Sequence, residues 1–319
     1  MGTLRLNTLP SPTWNRLDIN DITVTLPEGM TEKQPFGKPE LTALGGGFCG
    51  LVGQTDMISQ SAELDIELGR GETRGFYIKV PENGSISVIM YISCESGAVR
   101  TVAEIPEGSQ LRLVQIIEGG SQLLNDMGAD ISDGGRLDVT QIFLSGEQSV
   151  SGVYACLSGF RSELSYKGAY ILRGKEKLDI NNITVHKGKK TRSQTELKGV
   201  LSDSAEKTFR GTIDFKNGAS GSVGAETEDV LLLSENTVNK TLPVILCSEE
   251  DVEGSHGASI GRLDENALYY MTSRGIPEKT AMELAATARI ERLIALTGSE
   301  RAEERALKAL SERSGNAIL

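Results

Sequence analysis

From about residue 62 to residue 250 the chain repeats one pattern. Short runs alternate apolar and polar residues, or are rich in Val, Ile and Tyr, and each closes on Gly, Asn, Asp or Ser. Ser85–Ile92, Gln110–Ile117, Arg136–Leu144 and Val150–Leu157 are four such runs. A period of two sends one face of a strand into a core and leaves the other in water. Strands at this spacing, with no helical stretch between them, predict an all-β sandwich, barrel or solenoid. Periodicity does not choose among the three, although an aromatic content of only 5% suits stacked coils filled with small side chains.

Both flanks differ. The N-terminal stretch holds one alternating run, Asp21–Leu26, and a glycine-rich patch, Gly45–Gly50, which predict short strands and loops capping the repeated region. After residue 262 the pattern turns helical. Asp264–Met271 begins with helix-favouring acids and Ser273–Ile276 reads as a stop. Pro277 and Glu278 then suit the first turn of a helix reaching about residue 296, with Met282, Leu284, Ala285, Ala288, Leu293 and Ile294 as its apolar positions. Ser299 caps a last helix to about residue 312, where Leu307 and Leu310 are the large apolar residues. The organisation read from these changes is a cap over 1–61, a β core over 62–262 and a helical region over 263–319.

Composition narrows the function classes. With 44 acidic against 33 basic residues, the net charge of -11 argues against nucleic acid or an anionic membrane as the main partner. The basic run Lys187, Lys189, Lys190 and Arg192 reads as a solvated loop. No stretch approaches the length that crosses a bilayer and the N-terminus has no apolar signal region, so the expected location is the cytoplasm. Cys49, Cys94, Cys156 and Cys247 stand far apart, which predicts free thiols.

Common catalytic signatures are missing. The chain has no Gly-x-x-x-x-Gly-Lys-Ser/Thr string, so it is expected to bind no nucleotide through a P-loop of its own. With two histidines and no Cys-x-x-Cys pair, a His-rich zinc site is ruled out. One segment concentrates metal-capable chemistry: between Pro243 and Arg262 lie Cys247, Glu249, Glu250, Asp251, Glu253 and His256. Thiolate, imidazole and carboxylate together suit iron or another borderline metal. The bland reading of the same residues is a buried cysteine, a solvated acidic turn and a hydrogen-bonded histidine.

The same segment carries a resemblance. Asp251-Val252, Ser255-His256-Gly257-Ala258, Gly261-Arg262-Leu263-Asp264-Glu265, Leu268-Tyr269-Tyr270 and Ser273-Arg274-Gly275-Ile276 resemble the C-terminal signature of the SufB/SufD family of iron–sulfur cluster assembly proteins. A looser match runs back through Phe209-Arg210-Gly211, Lys198-Gly199-Val200 and His186. The resemblance implies a right-handed parallel β-helix core with a small C-terminal α-helical domain. It further implies a non-enzymatic scaffold that docks a SufC-like ABC ATPase and helps to build or hold a transient iron–sulfur cluster. Such proteins dimerise through their β-helices, as homodimers or with a SufB/SufD paralogue.

Two departures matter. The chain is expected to be a short form of the family, without the N-terminal helical domain of its longer members. Where SufB carries a core cysteine implicated in sulfur acceptance, this chain reads Glu226-Thr227-Glu228-Asp229-Val230-Leu231. The cluster or metal candidates are therefore His256, Cys247, Glu250 and Glu228, with His256 matching the family's interface histidine. The ATPase-docking candidates are Tyr269, Tyr270, Met271 and Arg274. A second reading makes the chain a SufD-like structural subunit without cluster ligands of its own. A third, a carbohydrate-active solenoid enzyme, is disfavoured by the low aromatic content.

Overall fold

The computed structural model describes residues 2–13, 18–30, 38–53 and 55–313. Two short antiparallel strands, β1 (Thr3–Leu6) and β2 (Ile22–Thr25), precede a single-turn helix, α1 (Gly46–Cys49). The glycine-rich patch is therefore helical at its centre, with Phe48 and Cys49 turned into the protein. Next come β3 (Thr55–Ile58), β4 (Ala62–Lys79), β5 (Ser85–Ile105) and β6 (Gln110–Ile131). Shorter strands succeed them: β7 (Arg136–Ser145), β8 (Gln148–Leu157), β9 (Glu163–Leu172), β10 (Lys177–His186) and β11 (Arg192–Leu201). The series ends with β12 (Glu206–Phe215), β13 (Ser222–Leu232), β14 (Val238–Cys247) and β15 (Val252–Gly261). Three helices close the described chain: α2 (Glu265–Ser273), α3 (Glu278–Ala295) and α4 (Glu300–Arg313).

Every pairing from β3 to β15 is parallel, which makes the core a β-solenoid of about seven turns. The sheet divides at β6, whose first half pairs with β7 and whose second half pairs with β8. Odd strands β7 to β15 then stack on one face, and even strands β8 to β14 stack on the other. The early strands are longer than the alternating runs that announced them, because each bends round a corner without leaving the ladder. Register shifts mark the bends at Arg70/Glu72 and Cys94/Ser96. Only glycine fits inside them: a Cβ on Gly97 would lie 2.4 Å from the Glu72 carbonyl oxygen, and one on Gly120 would lie 2.3 Å from that of Cys94.

The lumen between the two faces is filled by inward residues of β3 to β13, among them Leu113, Val139, Ile180, Leu197 and Phe209. Both outer faces are also covered. Residues of the N-terminal segment, including Leu6, Val24, Leu44 and Phe48, pack on the even face against Ala98, Leu124 and Val150. Two buried ion pairs fasten this cover. Asp126 pairs with Arg100 and accepts the backbone N–H groups of Ala43 (3.0 Å) and Leu44 (3.2 Å). Asp179 pairs with Arg210, whose Nε donates to the Ile19 carbonyl.

Helices α3 and α4 cover the odd face, burying Ala286, Ile290, Leu293, Ala302, Ala306 and Leu310 against Ile142, Ala169, Ile171, Val200 and Leu231. This corrects the sequence reading of α3: Leu284 and Ala288 are exposed, whereas Ala281 is buried and Ala286 and Ile290 pack on the sheet. Small side chains on the inner stripe let the helix lie close to the strands. Pro277 sits at the N-cap of α3, and Ser299 accepts from the Ala302 N–H at the start of α4.

The two ends of the solenoid are finished differently. At the start, the first half of β4 pairs only with β5 and carries Glu63, Asp65 and Glu67 at alternate positions beside a bulge. Glu63 and Asp65 are engaged by Ser299, Arg301 and Arg305, and a bulge and a helix fastened beside an edge both discourage a further strand from adding. At the far end, among the described residues, β14 pairs with β12 alone and β15 with β13 alone. Strand β14 still carries Lys240 and Pro243. Strand β15, VEGSHGASIG, is exposed along almost its whole length and holds neither lysine nor proline. Inward-register residues Ile245 (36% exposed) and Ile260 (47% exposed) are left wet there. The far end is an uncovered core.

Candidate functional site

The pleat decides what reaches this open end. On β13, Glu226, Glu228 and Val230 point into the lumen while Thr227 and Asp229 point out. The register sets His256 beside Glu226 and Ala258 beside Glu228 on β15. On the facing sheet it sets Thr241 beside Phe209, and Cys247 beside Phe215, on β14. His256 and Cys247 therefore belong to the two last strands of opposite faces, at inward register positions, and both are exposed.

Below them lies a polar floor within the lumen. Lys207, fully buried on β12, donates its ammonium to Glu228 and, at 3.0 Å, to Thr241 Oγ1. Thr241 in turn donates to the other Glu228 oxygen at 2.5 Å, and the Tyr170 hydroxyl stands 3.5 Å from the first. Glu228 thus crosses the lumen and ties β13 to both β12 and β14. Burial lowers the Lys207 pKa against the pull of Glu228. Glu226 lies beside this pair with its carboxylate over Gly211, where a Cβ would meet it at 1.7 Å. Burial, reinforced by the neighbouring Glu228 charge, pushes the Glu226 pKa up to about 7.

The remaining candidates sit around this floor. Cys247 ends β14, with its Sγ 3.0 Å from the Glu249 carbonyl oxygen. Glu250 is exposed in the turn between β14 and β15, where Glu249 Oε2 accepts the Gly218 N–H and Asp251 accepts the Ser220 hydroxyl. These bonds spend the acidic turn on holding the last two turns together. The other histidine, His186, is buried, with its ring nitrogens 2.7 Å from Thr191 Oγ1 and 2.9 Å from Ser193 Oγ. Burial pulls its pKa down to about 4. Among the described residues, no three His, Cys, Asp or Glu side chains converge as a metal site. Sequence reasoning missed Lys207, Glu226 and Thr241. Their signal was two carboxylates at i and i+2, which a strand must place on the same face.

The docking candidates lie on α2, which starts at Asp264, whose carboxylate accepts the Asn266 N–H at 3.1 Å. Tyr269 (75% exposed) and Tyr270 (60% exposed) stand clear of the protein, and Arg274 stacks 5.2 Å from the Tyr270 ring. Met271 is half-buried. Beside them a cavity of about 210 Å³ is lined by Leu232, Leu233, Leu263, Leu268 and Met282, with Glu235, Arg262 and Glu265 at its rim.

Comparison with known proteins places this architecture. The sequence model described as "SUF system FeS cluster assembly, SufBD core domain" matches residues 67–289. The chain belongs to the SufBD family. The match takes in the solenoid from β4 onward, α2 and most of α3. Among individual proteins, the iron–sulfur cluster assembly protein SufD of Bacillus subtilis is 36% identical over 118 residues, 37% of this chain and 27% of that protein. The SufBD family protein ycf24 of Trieres chinensis is 27% identical over 128 residues, 40% of this chain and 26% of its own. SufD of Escherichia coli is 28% identical over 116 residues, 36% and 27% of the two chains. Each of these matches spans about a quarter of the relative's own length. Among the described residues, no helix is long and apolar enough to cross a membrane.

Proposed function

We propose that this chain is a scaffold subunit of a cytoplasmic SUF-type assembly complex. It pairs through the open end of its solenoid, docks a SufC-like ABC ATPase on its helical region, and helps to build or hold a nascent iron–sulfur cluster. The cluster is cargo, and the chain itself performs no catalysis. The observation that carries the reading is the contrast between the two solenoid ends. The β4 edge carries a bulge and is tied to the start of α4 through Glu63 and Asp65, whereas β15 offers ten residues of exposed edge that carry His256 and a single acid, Glu253. A second subunit, whether a copy of this chain or a SufB/SufD paralogue, would bury Ile245 and Ile260 and shield the candidate ligands from water. The exposed tyrosine pair of α2 beside an apolar cavity has the composition of an interface anchor and supports ATPase docking there.

His256 and Cys247 are the ligands this reading favours, as imidazole and thiolate both suit iron. Glu250 remains a candidate at the rim. Glu228 is the weaker one, because its carboxylate is engaged by Lys207 and Thr241. That engagement also favours the second reading, a SufD-like subunit that supports a paralogue without ligands of its own. Anaerobic reconstitution with iron and sulfide separates the two. Loss of visible absorption in His256→Ala and Cys247→Ala, with normal folding, supports the scaffold with ligands. A chain that never colours, alone or mutated, supports the structural subunit.

A further inference from the structure

Strand β13 has a different neighbour on each side. Its inward face carries Glu226 and Glu228, and through Glu228 it holds Lys207 on β12 and Thr241 on β14. Its edge carries β15, which has no other strand partner among the described residues. Its outward face meets the helical region at two points. Arg289 of α3 pairs with Asp229 at 2.5 Å, and Leu231 packs in the cluster that includes Ile290, Leu293 and Ile294. Asp229 follows Glu228 directly, so one peptide unit joins the helix contact to the lumen clamp. Helices α2 and α3 also pack against each other.

We propose that the Arg289–Asp229 ion pair is a transmission contact. Through it, the position of α3 sets the position of β13, and with it the placement of His256 on β15 relative to Cys247 on β14. Arg289 and Asp229 are positioning residues that touch neither candidate ligand. The proposal rests on the reading of α2 as the ATPase-docking surface, since docking is what would move α3. The helical region reaches β15 by two routes, the short link 262–264 that joins its end to α2 and the Arg289–Asp229 pair acting through β13. Variants of the pair test the second alone. An open groove of about 440 Å³ lies beside the pair, lined by residues that include Lys198, Thr227, Asp229, Gly257 and Ser259.

Hydrogen exchange on the isolated full chain tests the contact without any partner. Asp229→Asn and Arg289→Gln should each speed amide exchange in β15 about three-fold, the scale expected for a half-exposed pair. Exchange in β8 to β10 and the unfolding midpoint should stay at wild-type values. The charge-swapped double variant Asp229→Arg, Arg289→Asp should return β15 to the wild-type rate. Unchanged exchange in the single variants overturns the proposal. So does faster exchange spread over the whole solenoid with no rescue by the swap, which would mark a merely structural contact. Adding the ATPase then tests the docking reading separately. If it binds and alters β15 exchange in the wild type but not in Arg289→Gln, both stand. If it does not bind, the docking reading fails, and with it the proposed regulation, while the exchange data still report the helix-to-strand contact.

Discussion

Replacing Glu228 with alanine removes the carboxylate that ties β13 to β12 and β14 across the lumen. Lys207 is fully buried, so its ammonium would lose its counter-charge with no water to replace it. Deleting one partner of a buried ion pair costs about 3–5 kcal/mol, because the surviving charge is left uncompensated. Two features of this site favour the lower end. Burial already lowers the Lys207 pKa, so the orphaned amine can shed its proton, and Glu226 remains nearby as a second carboxylate. The expected loss is therefore about 3 kcal/mol. Replacing both partners with apolar residues of similar volume, Lys207→Met with Glu228→Leu, should bring the chain back to within about 1 kcal/mol of wild type. Urea unfolding followed by circular dichroism measures both. With a slope of about 3 kcal/mol per molar, the alanine variant should unfold about 1 M earlier. Each coil of a solenoid contacts only its neighbours, so exchange should rise first in β14 and β15. A midpoint shift below about 0.2 M at that slope would refute the clamp and leave Glu228 free to serve as a ligand. A double variant as unstable as the single would refute it too.

Other consequences are open to simpler tests. His186 is held neutral with its pKa near 4 against an ordinary 6.5, so stability should fall as pH drops through that window, by about 3 kcal/mol in full, and His186→Gln should flatten the decline. Glu226 acts with the opposite sign: its pKa is raised from 4.5 to about 7, so its contribution is complete below pH 4.5 and is lost as pH rises through 7. Glu226→Gln should therefore stabilise the metal-free chain at about pH 8 while changing little near pH 4, as pH-stepped urea titrations would reveal. Gly120→Ala should destabilise the chain by about 3 kcal/mol or more, read as a lowered melting temperature, because the new methyl meets the Cys94 carbonyl oxygen at a bend. Tyr269→Ser with Tyr270→Ser should leave the melting temperature unchanged, since both rings stand in water, yet abolish co-purification of the ATPase.

Much of the fold was legible because period-2 alternation and the switch to helical spacing after residue 262 are local signals. The corners of β5 and β6 were not. A strand that bends without leaving its ladder keeps its β-rich composition, and only glycines such as Gly97 and Gly120 mark the place. The inner stripe of α3 was misjudged because large apolar residues draw attention, whereas this helix buries Ala281, Ala286 and Ile290 and leaves Leu284 out. The long-range pairs were invisible for a different reason. Arg100 with Asp126 and Arg210 with Asp179 join stacked coils, Lys207 with Glu228 joins opposite faces, and nothing in the intervening sequence announces the pairing. At the site, the segment holding Cys247 and His256 stood out by residue type. That the two lie on opposite faces of an open end, above a buried lysine and two carboxylates, required the register.

The central claim is that two such subunits and their ATPases assemble and carry a cluster. Anaerobic co-expression with the SufC-like ATPase, followed by size-exclusion chromatography and a visible absorption spectrum, measures both parts at once. The predicted result is a complex containing two scaffold subunits, with the broad charge-transfer absorption of an iron–sulfur cluster that is lost in His256→Ala. A colourless complex would leave only the structural-subunit reading, and a chain that elutes alone would contradict the claim.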